Sequence, residues 1–247
     1  MVIFDVNISV GRWPFRPSEF EDAGALDAKL HKEHISGGLI RAAEAAFTSD
    51  LDEDNARLFA KCQSLENGLF IPLPAVHPAW NSWKNLGRLP AAALYPGFHR
   101  YHLDSPECIV MATCMAASGV VPVVVLREED ERAQNPLCRI PVVPGDELRN
   151  FALALHGHPV MVLGAYYGEI IGCAAVKNLF FDLSFAETLS TVNSLINAGV
   201  QPENLLFGSH TPYFCTSSAI SKVSGAETSE LVKEKIFYKN AERILNV

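Results

Sequence analysis

Short runs of β-branched and aliphatic residues punctuate this chain, and longer stretches with apolar positions at helical spacing separate them. Eight such runs can be followed: Val2 to Val6, Gly38 to Ala42, Leu69 to Leu73, Ala91 to Tyr95, Val120 to Leu126, Val160 to Leu163, Leu179 to Leu183 and Leu205 to Gly208. They are almost continuously apolar, as parallel strands covered on both faces are, whereas strands with one wet face alternate. The stretches between them predict helices at Ala23 to His34, Asp52 to Leu65, Pro78 to Leu86, Pro106 to Ser118, Asp146 to His156, Gly168 to Val176, Glu187 to Ala198 and Thr228 to Leu245. Local chemistry agrees at two of them. Ser105-Pro106 is an N-cap followed by proline in the first helical position, with Gly119 as the stop; Asn197-Ala198-Gly199 closes the seventh helix.

Strict strand–helix alternation with right-handed crossovers gives a closed barrel or an open doubly wound sheet. The segment after the first strand, Asn7 to Gly11, is not the G-x-G-x-x-G turn of a dinucleotide-binding sheet. At 247 residues the chain is close to the roughly 250 of a complete (β/α)8 barrel. No linker, charge block or low-complexity stretch divides it, so the expectation is one TIM-barrel domain over residues 1–247.

Composition removes several functions. A net charge of -8 without a basic stripe argues against nucleic acid. No apolar run approaches the roughly 20 residues that cross a bilayer, and Val2-Ile3-Phe4-Asp5-Val6 carries no basic leader, so a cytoplasmic protein without membrane attachment is expected. Six cysteines lie scattered with no C-x-x-C pair, which predicts free thiols. A homodimer is the expected assembly.

Barrel enzymes place their chemistry at the C-terminal ends of the strands. That rule sets aside His156-Gly157-His158, which precedes a strand, and His31 with His34, which belong to the first helix. It retains Asn7, Ser9, Arg12 and Trp13 after the first strand, His77 after the third, and Tyr95, His99, Arg100, Tyr101 and His102 after the fourth. The run Arg127 to Arg132 follows the fifth strand and His210 the eighth. Imidazoles, guanidinium groups and carboxylates converging on one mouth suit a small anionic or carbonyl substrate and proton exchange near neutral pH. Plainer readings compete: Trp13 and Tyr95 as lids on the core, the charged run as a solvated loop, His77 as a cap for the helix that Pro78 opens.

Three segments carry a resemblance. Ile3-Phe4-Asp5-Val6-Asn7-Ile8-Ser9-Val10-Gly11, Leu205-Leu206-Phe207-Gly208-Ser209-His210-Thr211-Pro212 and Asn240-Ala241-Glu242-Arg243-Ile244-Leu245 together resemble the amidohydrolase-related metal-dependent hydrolases and decarboxylases over nearly the whole chain. The likeness implies a TIM barrel with a metal site built from an HxH pair, further strand-end histidines and an aspartate. Here the HxH positions are Asn7 and Ser9, the later histidine positions fall near Leu126 or Arg127 and near Ala165, and the aspartate position is His210. Leucine and alanine cannot ligate, so the inherited site is expected to be lost and no cofactor is expected. The chain also resembles a branch of that family marked by the GRWPFR segment Gly11 to Arg16, the loop Tyr95 to Tyr101 and the DER segment Asp130 to Arg132.

Three functions follow as expectations. One is a metal-free hydrolase of C–N or ester bonds, or a decarboxylase, acting on a small carboxylate or carbonyl substrate. In it His99 or His210 is the acid or base, Asp130 the orienting group, and Arg12 or Arg132 the anion holder, with Asn7, Trp13, His77, Tyr95 and Tyr101 lining the substrate site. Another is a hydrolase whose zinc site is rebuilt from His99, His210, Asp130 and His77. The last is a barrel that binds a small molecule and no longer catalyses.

Overall fold

The computed structural model describes residues 1–15, 17, 20–66, 68–80, 83, 86–87 and 89–247. All the paired strands run parallel, in two hydrogen-bonded arcs. The first arc orders β1 (Phe4–Val10), β2 (Gly37–Ala42) and β3 (Leu69–Pro72); the second orders β4 (Ala75–Val76), β5 (Ala91–Leu94), β6 (Val121–Val125), β7 (Val160–Leu163), β8 (Leu179–Asp182) and β9 (Leu205–Leu206).

The arcs join at both seams. β3 and β4 are two pieces of one strand interrupted at Leu73-Pro74, because proline has no N–H to give to the ladder. Leu73 still donates to Ile40 on one side (2.7 Å), and Pro74 accepts from Ala93 on the other (2.7 Å). At the second seam Val6 donates to Phe207 (3.0 Å), Ser9 donates to Thr211 (2.8 Å), and Ile8 bridges Thr211 in parallel. The chain is a (β/α)8 barrel.

Helices α1 (Ala23–Lys32), α2 (Leu51–Gln63), α4 (Pro106–Ala117), α5 (Gly145–Ala154), α6 (Tyr167–Gly172) and α7 (Thr191–Asn197) follow strands as the periodicity predicts, with ends shifted by up to four residues. The Ser105 hydroxyl accepts from the Cys108 N–H, and Gly119 and Gly199 take positive φ beyond α4 and α7, as their chemistry predicts.

Four features were not legible. The one-turn α3 (Pro96–His99) follows β5 directly, and α8 (Thr216–Ser224) fills what reads as a loop. The C-terminal stretch is three pieces, α9 (Glu230–Glu234), a π-helical turn (Lys235–Lys239) and α10 (Asn240–Leu245), rather than one helix. The π turn is where the Ile236 carbonyl accepts from the Phe207 N–H (2.9 Å), tying the last helix to the last strand. Pro78–Trp80 form a turn, and much of the expected helix Pro78 to Leu86 lies outside the described residues.

Candidate functional site

The strand ends deliver a polar cluster to the interior that is almost wholly shielded from water. Arg41, in the apolar strand β2, is 1% exposed. A guanidinium is buried only where its charge is met. Its Nε donates to Glu128 Oε1 (2.9 Å), Nη2 to Glu128 Oε2 (2.6 Å) and Nη1 to Asn7 Oδ1 (2.5 Å), while Nη2 also lies 3.4 Å from His210 Nδ1. Burial opposes the charge on Arg41, but the Glu128 carboxylate outweighs it and raises the pKa above the ordinary arginine value.

His210 is 0% exposed and sits in the left-handed region at φ 58°, which aims its ring inward from the turn after β9. Its Nε2 lies 2.9 Å from the Glu128 carbonyl, which can only accept, so that nitrogen carries a hydrogen; in the neutral ring Nδ1 then carries the lone pair, 3.4 Å from Arg41 Nη2 and 3.3 Å from Asn7 Oδ1. Asn7 Nδ2 donates to Asp182 Oδ2 (2.9 Å) and Ser184 Oγ (3.1 Å), and Asp182 Oδ1 accepts from the Gly164 N–H (2.7 Å). Beneath them Asp5 Oδ1 accepts from the Asn7 and Ser209 N–H groups (3.0 Å each). Burial pushes the Asp5 carboxyl up to about 7, against the opposing pull of these hydrogen bonds.

A second group lies on the β4 and β5 side. The His77 ring stacks on Trp80 (4.0 Å between centroids) and meets Tyr101 (5.0 Å) and His99 (5.7 Å), and His99 meets Tyr95 (5.4 Å). His77 Nδ1 accepts from the Ala79 N–H (3.1 Å), the capping arrangement its position before Pro78 allows. His99 Nε2 donates to the Ala45 carbonyl (2.8 Å), and burial pushes this imidazole down to about 4, so it is neutral at physiological pH. Burial likewise lowers the pKa of His77 and raises those of Tyr95 and Tyr101. Trp13 covers the mouth, packed edge-on against Phe47 (5.2 Å) and Tyr213 (5.6 Å), and Tyr213 in turn meets His210 (5.1 Å). Ser9 Oγ, Trp13 Nε1 and His99 Nδ1 are buried without a hydrogen-bond partner among the described residues.

Several expectations need correcting. Asp130 does not orient a histidine: it forms a two-pronged pair with Arg132 at the rim, and that guanidinium holds its carboxyl down at about 2. The Arg132 side chain is 90% exposed. Arg12 is also exposed and reaches Glu21 (3.8 Å), away from the interior. The charged run is not a solvated loop throughout, for Arg127, Glu128 and Glu129 are buried. Arg127 forks onto Glu169 (2.6 and 2.7 Å) and lies 3.9 Å from the centre of the Tyr166 ring.

Among the described residues, His77, His99, Asp130 and His210 do not form a group whose ligating atoms lie close enough to share an ion. Among the described residues, the group of His, Cys, Asp or Glu whose ligating atoms lie close enough for an ion is His102, Asp104 and Glu147, where His102 and Asp104 are exposed. Arg16 of the GRWPFR segment falls outside the described residues. The residues missed are Arg41, Glu128 as an interior anion, Asp5 and Asp182. The signal of Asp5, Arg41 and Asp182 is a charged residue inside a strand otherwise apolar, whereas Glu128 lies in the charged run after β6.

Beside the mouth a cleft of about 320 Å³ is lined by Asp130, Arg132, Tyr166, Tyr167, Phe185 and Phe214, among others. No helix among the described residues is long and apolar enough to cross a membrane.

No protein-family profile matches the chain, and no curated protein matches it. Solved structures do. The 5-carboxyvanillate decarboxylase of Sphingomonas paucimobilis superposes with a TM-score of 0.73 at 14% identity, covering 100% of this chain and 99% of that one. The 5-carboxyvanillate decarboxylase of Novosphingobium aromaticivorans, complexed with manganese and a nitrobenzoic acid, gives 0.71 at 14% identity over 100% and 96%. A probable 2-pyrone-4,6-dicarboxylic acid hydrolase of Acinetobacter baumannii with citric acid bound gives 0.68 at 13% identity over 100% of both chains. The fold is therefore the barrel that these two decarboxylases and this hydrolase share.

The donors here do not fit a divalent ion in the mouth. Both Glu128 oxygens, Asn7 Oδ1 and His210 Nδ1 face the Arg41 guanidinium, and both Asp182 oxygens accept N–H groups.

Proposed function

We propose that this barrel acts on a small carboxylate or carbonyl compound at its C-terminal mouth without a metal there, as a hydrolase of C–N or ester bonds or as a decarboxylase. The observation that carries this reading is the His210 imidazole. Its Glu128 partner fixes the tautomer, leaving a basic Nδ1 beside a buried cation, the pairing that proton transfer with charge stabilisation requires. Ser9 Oγ, Trp13 Nε1 and His99 Nδ1 support it, because buried polar atoms are normally satisfied and these three, on or after β1 and β5, have no partner among the described residues. Asn7, Tyr95, Tyr101 and His77 complete the wall of that site. Asp130 and Arg132 line the cleft beside it, and there they would meet a ligand before it enters.

A second reading, a barrel that binds such a compound without turning it over, is favoured by the engagement of four of the five Arg41 N–H groups and by the burial of His210. Turnover of a panel of small lactones, amides and aromatic acids, with calorimetric binding of the same compounds, separates the two. Turnover lost in His210→Gln is the expected result. Binding without turnover selects the second reading, and neither binding nor turnover across the panel sinks both.

A further inference from the structure

We propose that the Arg41 guanidinium is the resident cation of the barrel mouth, doing with a side chain what a divalent ion does for strand-end ligands in a metal-dependent barrel. The inference stands on its contacts and not on the reaction proposed above.

A strand-end metal gathers carboxylate, imidazole and oxygen donors from separate strands and neutralises them. Arg41 gathers the same kinds of atom: two carboxylate oxygens of Glu128 after β6, the Nδ1 of His210 after β9, and the amide oxygen of Asn7 in β1. Each is a lone-pair donor that could serve an ion, and each is turned toward an N–H instead. The geometry of the fork matters. Its paired N–H groups match the carboxylate edge, and two of the three remaining Nη hydrogens point in other directions, toward Asn7 and His210. A dication added beside this guanidinium would meet a fixed positive charge in a poorly screened interior, where Glu128, Asn7 Oδ1 and His210 Nδ1 are already turned to Arg41.

The test uses the full chain stripped with chelator, then titrated with Mn²⁺ or Zn²⁺ and followed by thermal unfolding and metal analysis. Every protein carries His102→Ala, which removes the surface group His102, Asp104 and Glu147 as a source of binding. With Arg41 in place, no ion should be retained and Tm should not move. Arg41→Met should lower Tm by about 10 °C, the scale of a buried charge left unpaired in a domain of this size. Arg41→Lys, which keeps the charge, should lose less. Mn²⁺ or Zn²⁺ should return part of the lost Tm to Arg41→Met, where Glu128, His210 and Asn7 are released to ligate.

One equivalent of ion held by the Arg41 protein overturns the proposal. So does equal loss in the Lys and Met variants, or no response of Arg41→Met to either ion. Should Arg41→Met not fold, Arg41→Met with Glu128→Gln removes both charges and must restore folding; failure of that pair also overturns it.

Discussion

Asp5 offers the sharpest quantitative check. It is 0% exposed, and burial lifts its pKa from 3.8 to about 7. A carboxyl that binds its proton more tightly when folded stabilises the fold below its unfolded pKa, and that contribution disappears as pH rises through the folded value. A rise from 3.8 to about 7 corresponds to about 4 kcal/mol, falling away at about 1.4 kcal/mol per pH unit across that window. Asp5→Asn is the clean perturbation, because the amide oxygen can still accept from the Asn7 and Ser209 N–H groups while the titration is gone. Urea unfolding of both proteins between pH 4 and 8 gives the difference in stability, from which titrations common to both cancel. That difference should shift steadily in favour of the Asn variant up to about pH 7 and then level off. A difference that stays flat with pH would refute the reasoning about burial.

His99 runs in the opposite direction. Burial lowers its pKa from 6.5 to about 4, so its contribution is complete above 6.5 and lost as pH falls through about 4; His99→Gln should flatten that acid limb in the same urea assay. At Gly208 an added Cβ would collide with the Asp182 carboxylate and crowd the Asn7 Cβ at 3.0 Å, so Gly208→Ala should cost about 1–3 kcal/mol by denaturant unfolding. Hydrogen bonds from Ser217 and Ser218 lower the exposed Cys215 thiol to about 7, whereas burial pushes Cys62 and Cys108 up to about 12. Iodoacetamide labelling read by peptide mass should therefore reach half its limiting rate near pH 7 at Cys215 and leave the other two unmodified in the native protein.

The barrel was readable because each strand core is a short apolar run and each crossover a periodic one. What the pattern hid was structure made by long-range partners. The third strand reads as one run, yet its ladder is interrupted at Leu73-Pro74 into β3 and β4. The site divided along the same line. His210, Asn7, Tyr95 and His77 are legible as candidates from their position at strand ends, whereas Arg41 is hidden because Gly-Gly-Leu-Ile-Arg-Ala reads as core. Only the carboxylate 87 residues later explains an arginine there. Asp130 and Arg132 also follow a strand end, but these two charges, two residues apart, satisfy each other at the surface.

The contacts of Arg41 also bear on whether this protein can be divided. They draw on residues 7, 41, 128 and 210, so a cut in the middle of the chain, after Ser118 for example, leaves the guanidinium in one fragment and its counter-ion in the other. Neither piece could settle with a solitary charge inside it. A split or circularly rearranged version should work only if its parts find each other before either becomes compact, which makes this barrel a poor donor of autonomous half-barrels and a demanding test of fragment complementation.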